Sequence, residues 1–264
     1  MSLKVDVHTH ALHSKIADKV LRQLASHYGI TPKFPGTWDD LAIRMKNSGI
    51  DKCFVHTAAT RPDQVIAANN WAISLKQYSM AVPFGTMHVD YQDIEGELAR
   101  LWDNGIRGIK LHPDFQGFRL DDPKLLPLFT AMEGRFTLMV HVGDKLPPKD
   151  NPSCPYKVAA IKRNFPKLQI IAAHFGGVYH WEHVIEAYRG LEIYMDTSSS
   201  LFAIPQTLLE QIFNFFPRHL FLFGSDYPIW DPASERDELQ RRLRLSDTEL
   251  EEIMTAGNRI GLDL

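Results

Sequence analysis

Two histidines lie two positions apart near the start of the chain, in the stretch KVDVHTH (residues 4–10). Residues two apart on a β-strand point to the same face, so His8 and His10 could bind one metal ion together. The pair could equally be coincidental, because short spacings arise by chance in a chain with 12 histidines. Whether the pair binds a metal or is coincidental depends on whether the fold brings other ligands to the same place.

Further histidines follow apolar, strand-like runs along the chain. The next five runs end in His56, His88, His112, His141 and His174, and the eighth run ends in Asp226. Seven of the 12 histidines therefore lie at the carboxyl ends of predicted strands. Histidines that served only solubility or core packing would be spread over helices and loops.

Eight apolar, β-branched or aromatic runs alternate with longer segments of helical character. The runs cover residues 3–10, 52–59, 81–88, 106–112, 136–143, 168–176, 191–198 and 220–226. Near-continuous apolar strands of this kind predict a parallel sheet covered by helices. Eight such units predict an α/β protein with the (β/α)8 TIM-barrel fold, in which the carboxyl ends of all strands open onto one rim.

We expect a single domain over residues 1–264, since no linker or low-complexity stretch interrupts the pattern. A doubly wound open sheet is the competing fold. It is disfavoured because no glycine-rich phosphate loop follows the first run.

The segments between the runs carry recognisable helix signals. Residues 93–105 have helical spacing and end on Gly105, a residue typical of left-handed helix ends. Ser246 and Glu249 form a capping-box pattern. The charged stretch 234–245 predicts a solvated helix face.

One interval is oversized, because residues 11–51 separate the first two runs. This length suits two helices and a loop at 27–40, and insertions of this kind border the active site of a barrel. Tyr28, Phe34 and Trp38 could therefore line a substrate pocket or pack locally. The Pro-rich loop 143–156 would also lie over the barrel mouth.

Composition limits the classes of partner. An apolar share of 44% allows a large core, and a net charge of −3 with a pI near 6.5 offers no basic surface for nucleic acid or an anionic membrane. No apolar run approaches the ~18–20 residues of a membrane span. The start of the chain lacks a signal-peptide pattern.

Two cysteines, Cys53 and Cys154, favour a reduced, cytoplasmic protein over a disulfide scaffold. We expect a small-molecule substrate, with a homo-oligomer as the default state for a barrel of this size.

A metal centre is the chemistry that these residues would support. Neutral imidazoles with one carboxylate suit a borderline divalent ion such as zinc, with manganese, iron and cobalt as alternatives. His141, His174 and Asp226 would complete a site begun by His8 and His10. An open coordination position would hold a water with a pKa of roughly 7, and a neighbouring carboxylate could take its proton.

Six stretches of the chain carry a family resemblance. They are DVHTH (6–10), GIKLHPDFQGF (108–118), MVHVGD (139–144), IIAAHFGG (170–177), YMDTSSS (194–200) and LFGSDYP (222–228). Together with the C-terminal segment 249–264, they resemble the amidohydrolase superfamily, and more closely the amidohydrolase-2 family of metal-dependent hydrolases with a TIM-barrel fold. The resemblance extends over essentially the whole chain and favours the metal-binding interpretation of the first histidine pair.

The resemblance implies metal ligation by His8, His10, His141 and Asp226. Asp226 would also transfer protons. His174 would orient the attacking water or the substrate, or would itself bind the metal.

Lys110 has three interpretations. It could remain an ammonium that binds an anionic substrate group, which we favour, become carboxylated and bridge two metals, or form a structural ion pair. The favoured interpretation predicts one metal ion per chain. His56, His88 and His112 are candidates for substrate binding or for support of the metal ligands, with a structural hydrogen bond as the alternative for each.

The first functional hypothesis is a metal-dependent hydrolase that acts on an amide, lactone or ester of a small, carboxylate-bearing molecule. Loops after the first, fifth, seventh and eighth strands would set its specificity. The alternative is a nonoxidative decarboxylase, a carbon–carbon lyase of the same family; the compact chain favours hydrolysis over this alternative. A metal-free binding protein and a nuclease are disfavoured by the complete ligand set and by the slightly acidic chain.

Overall fold

The computed structural model describes residues 2–262 and contains strands in all eight predicted runs. The strands are β1 (Val5–His10), β2 (Lys52–His56), β3 (Ala81–Pro83), β4 (Gly85–Thr86), β5 (Gly108–Leu111), β6 (Thr137–Val140), β7 (Gln169–Ala172), β8 (Tyr194–Asp196) and β9 (Phe221–Leu222). Every paired strand runs parallel to its neighbour, in the orders β1-β2-β3 and β4-β5-β6-β7-β8-β9. The parallel α/β architecture therefore agrees with the sequence pattern.

The third predicted run forms two short strands rather than one. β3 pairs with β2 and β4 pairs with β5, and the break lies at Phe84. Pro83 has no N–H to donate to a ladder, which is why strands tend to be interrupted at proline. The Phe84 N–H still donates to the Val55 carbonyl at 2.9 Å, so the two halves of the sheet stay connected.

Backbone hydrogen bonds also join the end of the chain's last strand segment to β1. The N–H of Val7 donates to the Phe223 carbonyl at 2.8 Å, and the N–H of His10 donates to the Tyr227 carbonyl at 2.9 Å. The first and last strand segments therefore lie side by side. This contact brings the histidines of β1 next to the residues that follow β9.

Helices separate the strands along the sequence. They are α1 (Ala17–Tyr28), α2 (Trp38–Asn47), α3 (Val65–Leu75), α4 (Ile94–Asp103), α5 (Pro113–Gln116), α6 (Leu126–Met132), α7 (Pro155–Asn164), α8 (Trp181–Tyr188), α9 (Gln206–Phe215), α10 (Pro232–Leu243) and α11 (Asp247–Thr255). Short 3-10 turns lie at Pro62–Gln64, Pro123–Leu125, Arg218–Leu220 and Ala256–Ile260. None of the helices within residues 2–262 has both the length and the apolar character that crossing a membrane requires.

Local helix signals have the predicted effects. The capping box is formed, because the Ser246 hydroxyl accepts from the Glu249 N–H and the Glu249 carboxylate accepts from the Ser246 N–H. Gly105 has a φ of +74° just after α4. The oversized interval contains two helices, α1 and α2, as expected.

The three aromatic residues of that interval have different surroundings. Tyr28 reaches the carboxyl end of the sheet, where its hydroxyl lies 2.9 Å from His112 Nε2. Phe34 stacks on Tyr227 with ring centroids 5.8 Å apart. Trp38 is buried and stacks on Tyr78 at 4.5 Å, so of the two alternatives the structure favours local packing for Trp38. Residues 1, 263 and 264 of the predicted domain and closing segment lie outside the described residues.

Candidate metal centre

Three predicted ligands meet at the carboxyl end of the sheet. His8 and His10 are on β1, and Asp226 lies four residues beyond β9. The Nε2 atoms of His8 and His10 lie 3.5 and 3.3 Å from Asp226 Oδ1. These groups can therefore contact one ion although more than two hundred residues separate them in sequence.

The other ring nitrogens of His8 and His10 face hydrogen-bond acceptors. His8 Nδ1 lies 3.0 Å from a carboxylate oxygen of Asp196, and His10 Nδ1 lies 3.3 Å from the carbonyl oxygen of His56. A neutral imidazole that donates from Nδ1 has its lone pair on Nε2. In this form both Nε2 lone pairs face the Asp226 carboxylate and could bind a cation together with it. Without a cation, a proton on His10 Nε2 can donate to Asp226 Oδ1, and a bound metal ion would replace that proton.

His141 and His174 each have one ring nitrogen close to a backbone carbonyl oxygen. His141 Nε2 lies 3.1 Å from the Gly143 carbonyl, and His174 Nδ1 lies 3.2 Å from the Ser198 carbonyl. If each donates to its carbonyl, the inward atoms, His141 Nδ1 and His174 Nε2, are both lone-pair acceptors, yet they lie 3.0 Å apart. A proton or a metal ion between them would remove this repulsion.

The protein environment keeps the imidazoles of His8, His141 and His174 neutral. Burial lowers the pKa of His8 and of His141 well below the ordinary value, and the positive charge of Lys110 contributes in both cases. Burial also lowers the pKa of His174, although the carboxylates of Asp226 and Asp196 oppose this effect. Neutral imidazoles oriented by acceptors at their far nitrogens are the form that binds a divalent ion.

Asp226 supplies the negative charge. Burial alone would raise its pKa, but the hydrogen bond from His10, the neighbouring His174 and the hydroxyl of Ser199 outweigh burial and lower it. Ligand atoms of His8, His10 and Asp226 all lie within 4.8 Å of one another, as do those of His8, His174 and Asp196, whereas His141 groups with His112 and Asp114. The first of these donor sets, two imidazoles with one carboxylate, fits a divalent ion of the zinc or manganese type. The roles of His8, His10, His141, His174 and Asp226 as ligands remain predictions.

Three residues at this site have strained backbones. His174, Ser199 and Asp226 have φ angles of +66°, +42° and +59°. The left-handed region costs a non-glycine residue about 1–2 kcal/mol, and such residues persist where the surroundings fix them. Their concentration at the ends of β7, β8 and β9 is typical of a functional site.

Lys110 is fully buried beside the ligands. Its Nζ lies 3.3 Å from His8 Nε2, and burial lowers its pKa to about 8 while the charges of Asp196 and Asp226 oppose that shift. The ammonium therefore remains mainly protonated at neutral pH.

The other predicted histidines have different partners. His56 Nε2 lies 2.8 Å from the Val7 carbonyl, and its buried Nδ1 has no hydrogen-bond partner within residues 2–262. His112 stacks on His141 with ring centroids 4.0 Å apart, beside Tyr28. Their roles in substrate binding or in support of the ligands remain predictions.

His88 lies apart from this group. Its Nδ1 accepts from the Asp90 N–H at 3.2 Å, and its Nε2 lies 3.1 Å from the Gln116 carbonyl. Both ring nitrogens are occupied by backbone groups, so the structure favours the structural alternative over substrate binding for His88.

Several polar residues of the site are missing from the sequence-based prediction. Asp196 and Ser198 contact the predicted ligand histidines, and Asp114 lies 3.8 Å from His141. The Ser199 hydroxyl donates to Asp226, and the indole N–H of Trp230 donates to Ser199. Asp196 ends a predicted strand in the same way as the histidines, and that position was an available signal. Ser199 and Trp230 have no comparable signal, because their contacts depend on loop conformation.

Solved structures share this fold. An uncharacterised TIM-barrel protein from Bordetella bronchiseptica matches with a TM-score of 0.76 and 17% identity over 99% of this chain and 98% of that chain. A 5-carboxyvanillate decarboxylase from Novosphingobium aromaticivorans, with manganese and 4-hydroxy-3-methoxy-5-nitrobenzoic acid, matches with a TM-score of 0.71 and 15% identity over 99% and 96% of the two chains. A dihydroxybenzoic acid decarboxylase from Polaromonas sp. JS666, with manganese and 2-nitroresorcinol, matches with a TM-score of 0.68 and 13% identity over 100% and 98%.

These likenesses confirm the predicted TIM-barrel fold. No curated protein matches the chain in sequence. The model of the amidohydrolase family, however, matches residues 5–256. Because this match extends over most of the chain, the chain belongs to the amidohydrolase family.

Proposed function

We propose that the protein is a metal-dependent nonoxidative decarboxylase of a small aromatic or unsaturated carboxylic acid. The observation that carries the proposal is the convergence of imidazole lone pairs and an ionised carboxylate beside the buried ammonium of Lys110. Such a site concentrates positive charge where an anionic substrate would bind. The two manganese-containing decarboxylases that share the fold support this choice over hydrolysis.

Decarboxylation requires positive charge that stabilises the developing negative charge, and one proton for the carbon that loses the carboxyl group. The bond between the carboxyl carbon and its neighbour breaks, carbon dioxide leaves, and the remaining electron pair takes up a proton. A bound divalent ion would attract the substrate's anionic oxygens and stabilise the negative charge that develops. Lys110 would bind an anionic group of the substrate, and the buried imidazoles would limit the access of water.

The preference for hydrolysis from sequence depended on the compactness of the chain. The matches with the two decarboxylases extend over 96% and 98% of their chains, so the likeness is not confined to a common core. Compactness therefore gives no reason to prefer hydrolysis.

The experiment is an assay of Mn²⁺-loaded protein with a panel of hydroxylated benzoic acids and unsaturated dicarboxylic acids. We expect carbon dioxide release with at least one acid, reduced about 100-fold or more in His10→Ala. His219→Ala is the matched control, because His219 precedes β9 at the other end of the sheet. A parallel panel of amides, esters and lactones tests the alternative. Incorporation of oxygen-18 from water into a product of that panel, with no carbon dioxide released from any acid, would establish hydrolysis instead.

A further inference from the structure

The second carboxylate oxygen of Asp226 is held by a serine. While Oδ1 faces the Nε2 atoms of His8 and His10, the hydroxyl of Ser199 donates to Oδ2. The indole Nε1–H of Trp230 donates to the same Ser199 oxygen at 2.9 Å. An indole N–H can only donate, so the direction of the chain is fixed from Trp230 through Ser199 to Asp226. We call this chain of contacts the Trp230 relay.

The backbone at Ser199 is strained in a way that only surrounding contacts can maintain. Its φ of +42° is left-handed, and the residue is 8% exposed. A glycine would adopt this conformation at lower cost than a serine does. We therefore attribute the presence of serine rather than glycine at this position to the hydrogen bonds of its hydroxyl.

The outer end of the relay lies at the rim of the barrel. Trp230 follows β9, and it stacks on Phe202, which follows β8, with ring centroids 5.3 Å apart. Lys33 Nζ lies 4.7 Å from the indole ring. Phe202 is 44% exposed, so Trp230 connects the accessible rim to a buried carboxylate.

We propose that Ser199 and Trp230 are positioning residues that hold the Asp226 carboxylate with Oδ1 toward His8 and His10. The inference rests on the metal centre of the proposed function. Without the relay, the carboxylate can rotate about its Cβ–Cγ bond, and a divalent ion loses a fixed oxygen ligand. Outer partners that orient metal ligands typically contribute about 10–100-fold in metal affinity.

The test is Mn²⁺ binding to the full-length protein, measured by electron paramagnetic resonance of unbound Mn²⁺. Ser199→Gly removes the hydroxyl and also relieves the strained φ. We expect its thermal midpoint to equal or exceed that of the wild type while its Mn²⁺ affinity falls about 10–100-fold. A merely structural serine would not produce this combination.

Trp230→Phe provides a second arm that keeps an aromatic ring against Phe202 but removes the N–H. We expect about 10-fold weaker Mn²⁺ binding, the lower end of the same range. Trp102→Phe is the matched control, because Trp102 packs against Arg107 and Phe136 away from the site. Its Mn²⁺ affinity should equal that of the wild type.

The outcomes separate this inference from the proposed function. Affinities within twofold of the wild type in both Ser199→Gly and Trp230→Phe would overturn the relay and leave the metal centre intact. A wild-type protein that binds no Mn²⁺ would overturn the metal centre and the relay together. If Ser199→Gly fails to fold, the Trp230→Phe result decides.

Discussion

At the scale of single residues, the site combines a candidate metal-binding donor set with the positive charge of Lys110. Lys110 is buried, and its Nζ lies close enough to His8 Nε2 to compete with a cation for the same lone pair. An ammonium and a metal ion at this distance repel each other. The arrangement suits a residue that binds substrate rather than metal.

Substrate binding and metal ligation by Lys110 predict opposite effects on Mn²⁺ affinity when the lysine is replaced. In Lys110→Met the charge disappears and the chain length is preserved. We expect Mn²⁺ to bind as tightly as in the wild type or more tightly, and decarboxylation to fall about 100-fold, because the substrate anion loses its partner. Mn²⁺ titration and single-turnover assays of the same preparation provide the measurement.

A different result would identify the carboxylated form. If Lys110→Met lost metal affinity, and if wild-type binding of a second ion depended on bicarbonate, the lysine would be a metal ligand. Lys124→Met serves as a control, since Lys124 is exposed and paired with Asp90 on the outer surface.

Sequence reasoning predicted candidate ligands that the structure places together, namely His8, His10 and Asp226, but not the groups that orient them. His8, His10 and Asp226 could be predicted because each type binds metals and each ends a strand run. The carbonyl of Gly143, which His141 contacts, carries no side-chain signal at all. The orientation of the imidazoles therefore depends on backbone positions that the sequence pattern does not reveal.

At the scale of elements, the loops after the strands fix the site through close backbone contacts. Gly143 follows β6 with a φ of +89°, and a Cβ added there would lie 2.1 Å from the Val178 carbonyl oxygen. Its own carbonyl faces His141 Nε2. This turn therefore joins the loops after β6 and β7 and orients a predicted metal ligand at the same time.

Gly143→Ala tests this turn. The new methyl group must displace the backbone at Val178, so we expect a fall in the thermal midpoint of roughly 5–15 °C, from about 2–4 kcal/mol of strain and displaced packing. Gly190→Ala is the matched control, with a φ of +74° and no heavy atom within 4 Å of the added Cβ. The thermal midpoint of Gly190→Ala, measured by calorimetry of metal-free protein, should fall less than half as far as that of Gly143→Ala. Equal losses in the two variants would show that φ alone matters at both positions.

The helices and strands were largely predictable from pattern, and the exceptions have local causes. All eight runs contain strands because their apolar residues are buried under helices. The division between β3 and β4 depends on Pro83, whose missing N–H breaks the ladder within an otherwise continuous apolar run. Trp38 became a packing residue because the start of α2 turns it toward Tyr78.

At the scale of the whole molecule, the barrel fold places residues that are far apart in sequence next to one another at one rim. Periodicity predicted which ends of the strands meet, and it thereby predicted a shared site. It could not predict the neighbours of each side chain around the rim. His88 illustrates this limit, since it ends a run as His141 does but its ring nitrogens face the backbone of Asp90 and Gln116.

A half-buried carboxyl group near the site links folding to pH. Glu235 lies in the first turn of α10, and burial, with a smaller contribution from the charge of Asp226, raises its pKa from the ordinary 4.5 to about 8. Between these values the folded chain holds a proton that the unfolded chain releases. The free energy of unfolding therefore falls as the pH rises from about 4.5 to about 8.

Glu235→Gln removes this dependence, because glutamine is neutral at every pH. Because Glu235 is only half-buried, solvent screens its charge and reduces the effect on stability to ~1 kcal/mol. In metal-free protein we therefore expect the variant to match the wild type near pH 4.5 and to unfold about 2–4 °C higher at pH 9. Glu238→Gln is the control of opposite sign, since the hydrogen bond from Arg241 lowers the pKa of Glu238 and favours its ionised form. That variant should be slightly destabilised, or unchanged, above pH 5. Scanning calorimetry at several pH values decides, and a difference between Glu235→Gln and wild type that stays constant from pH 5 to 9 would contradict a raised pKa.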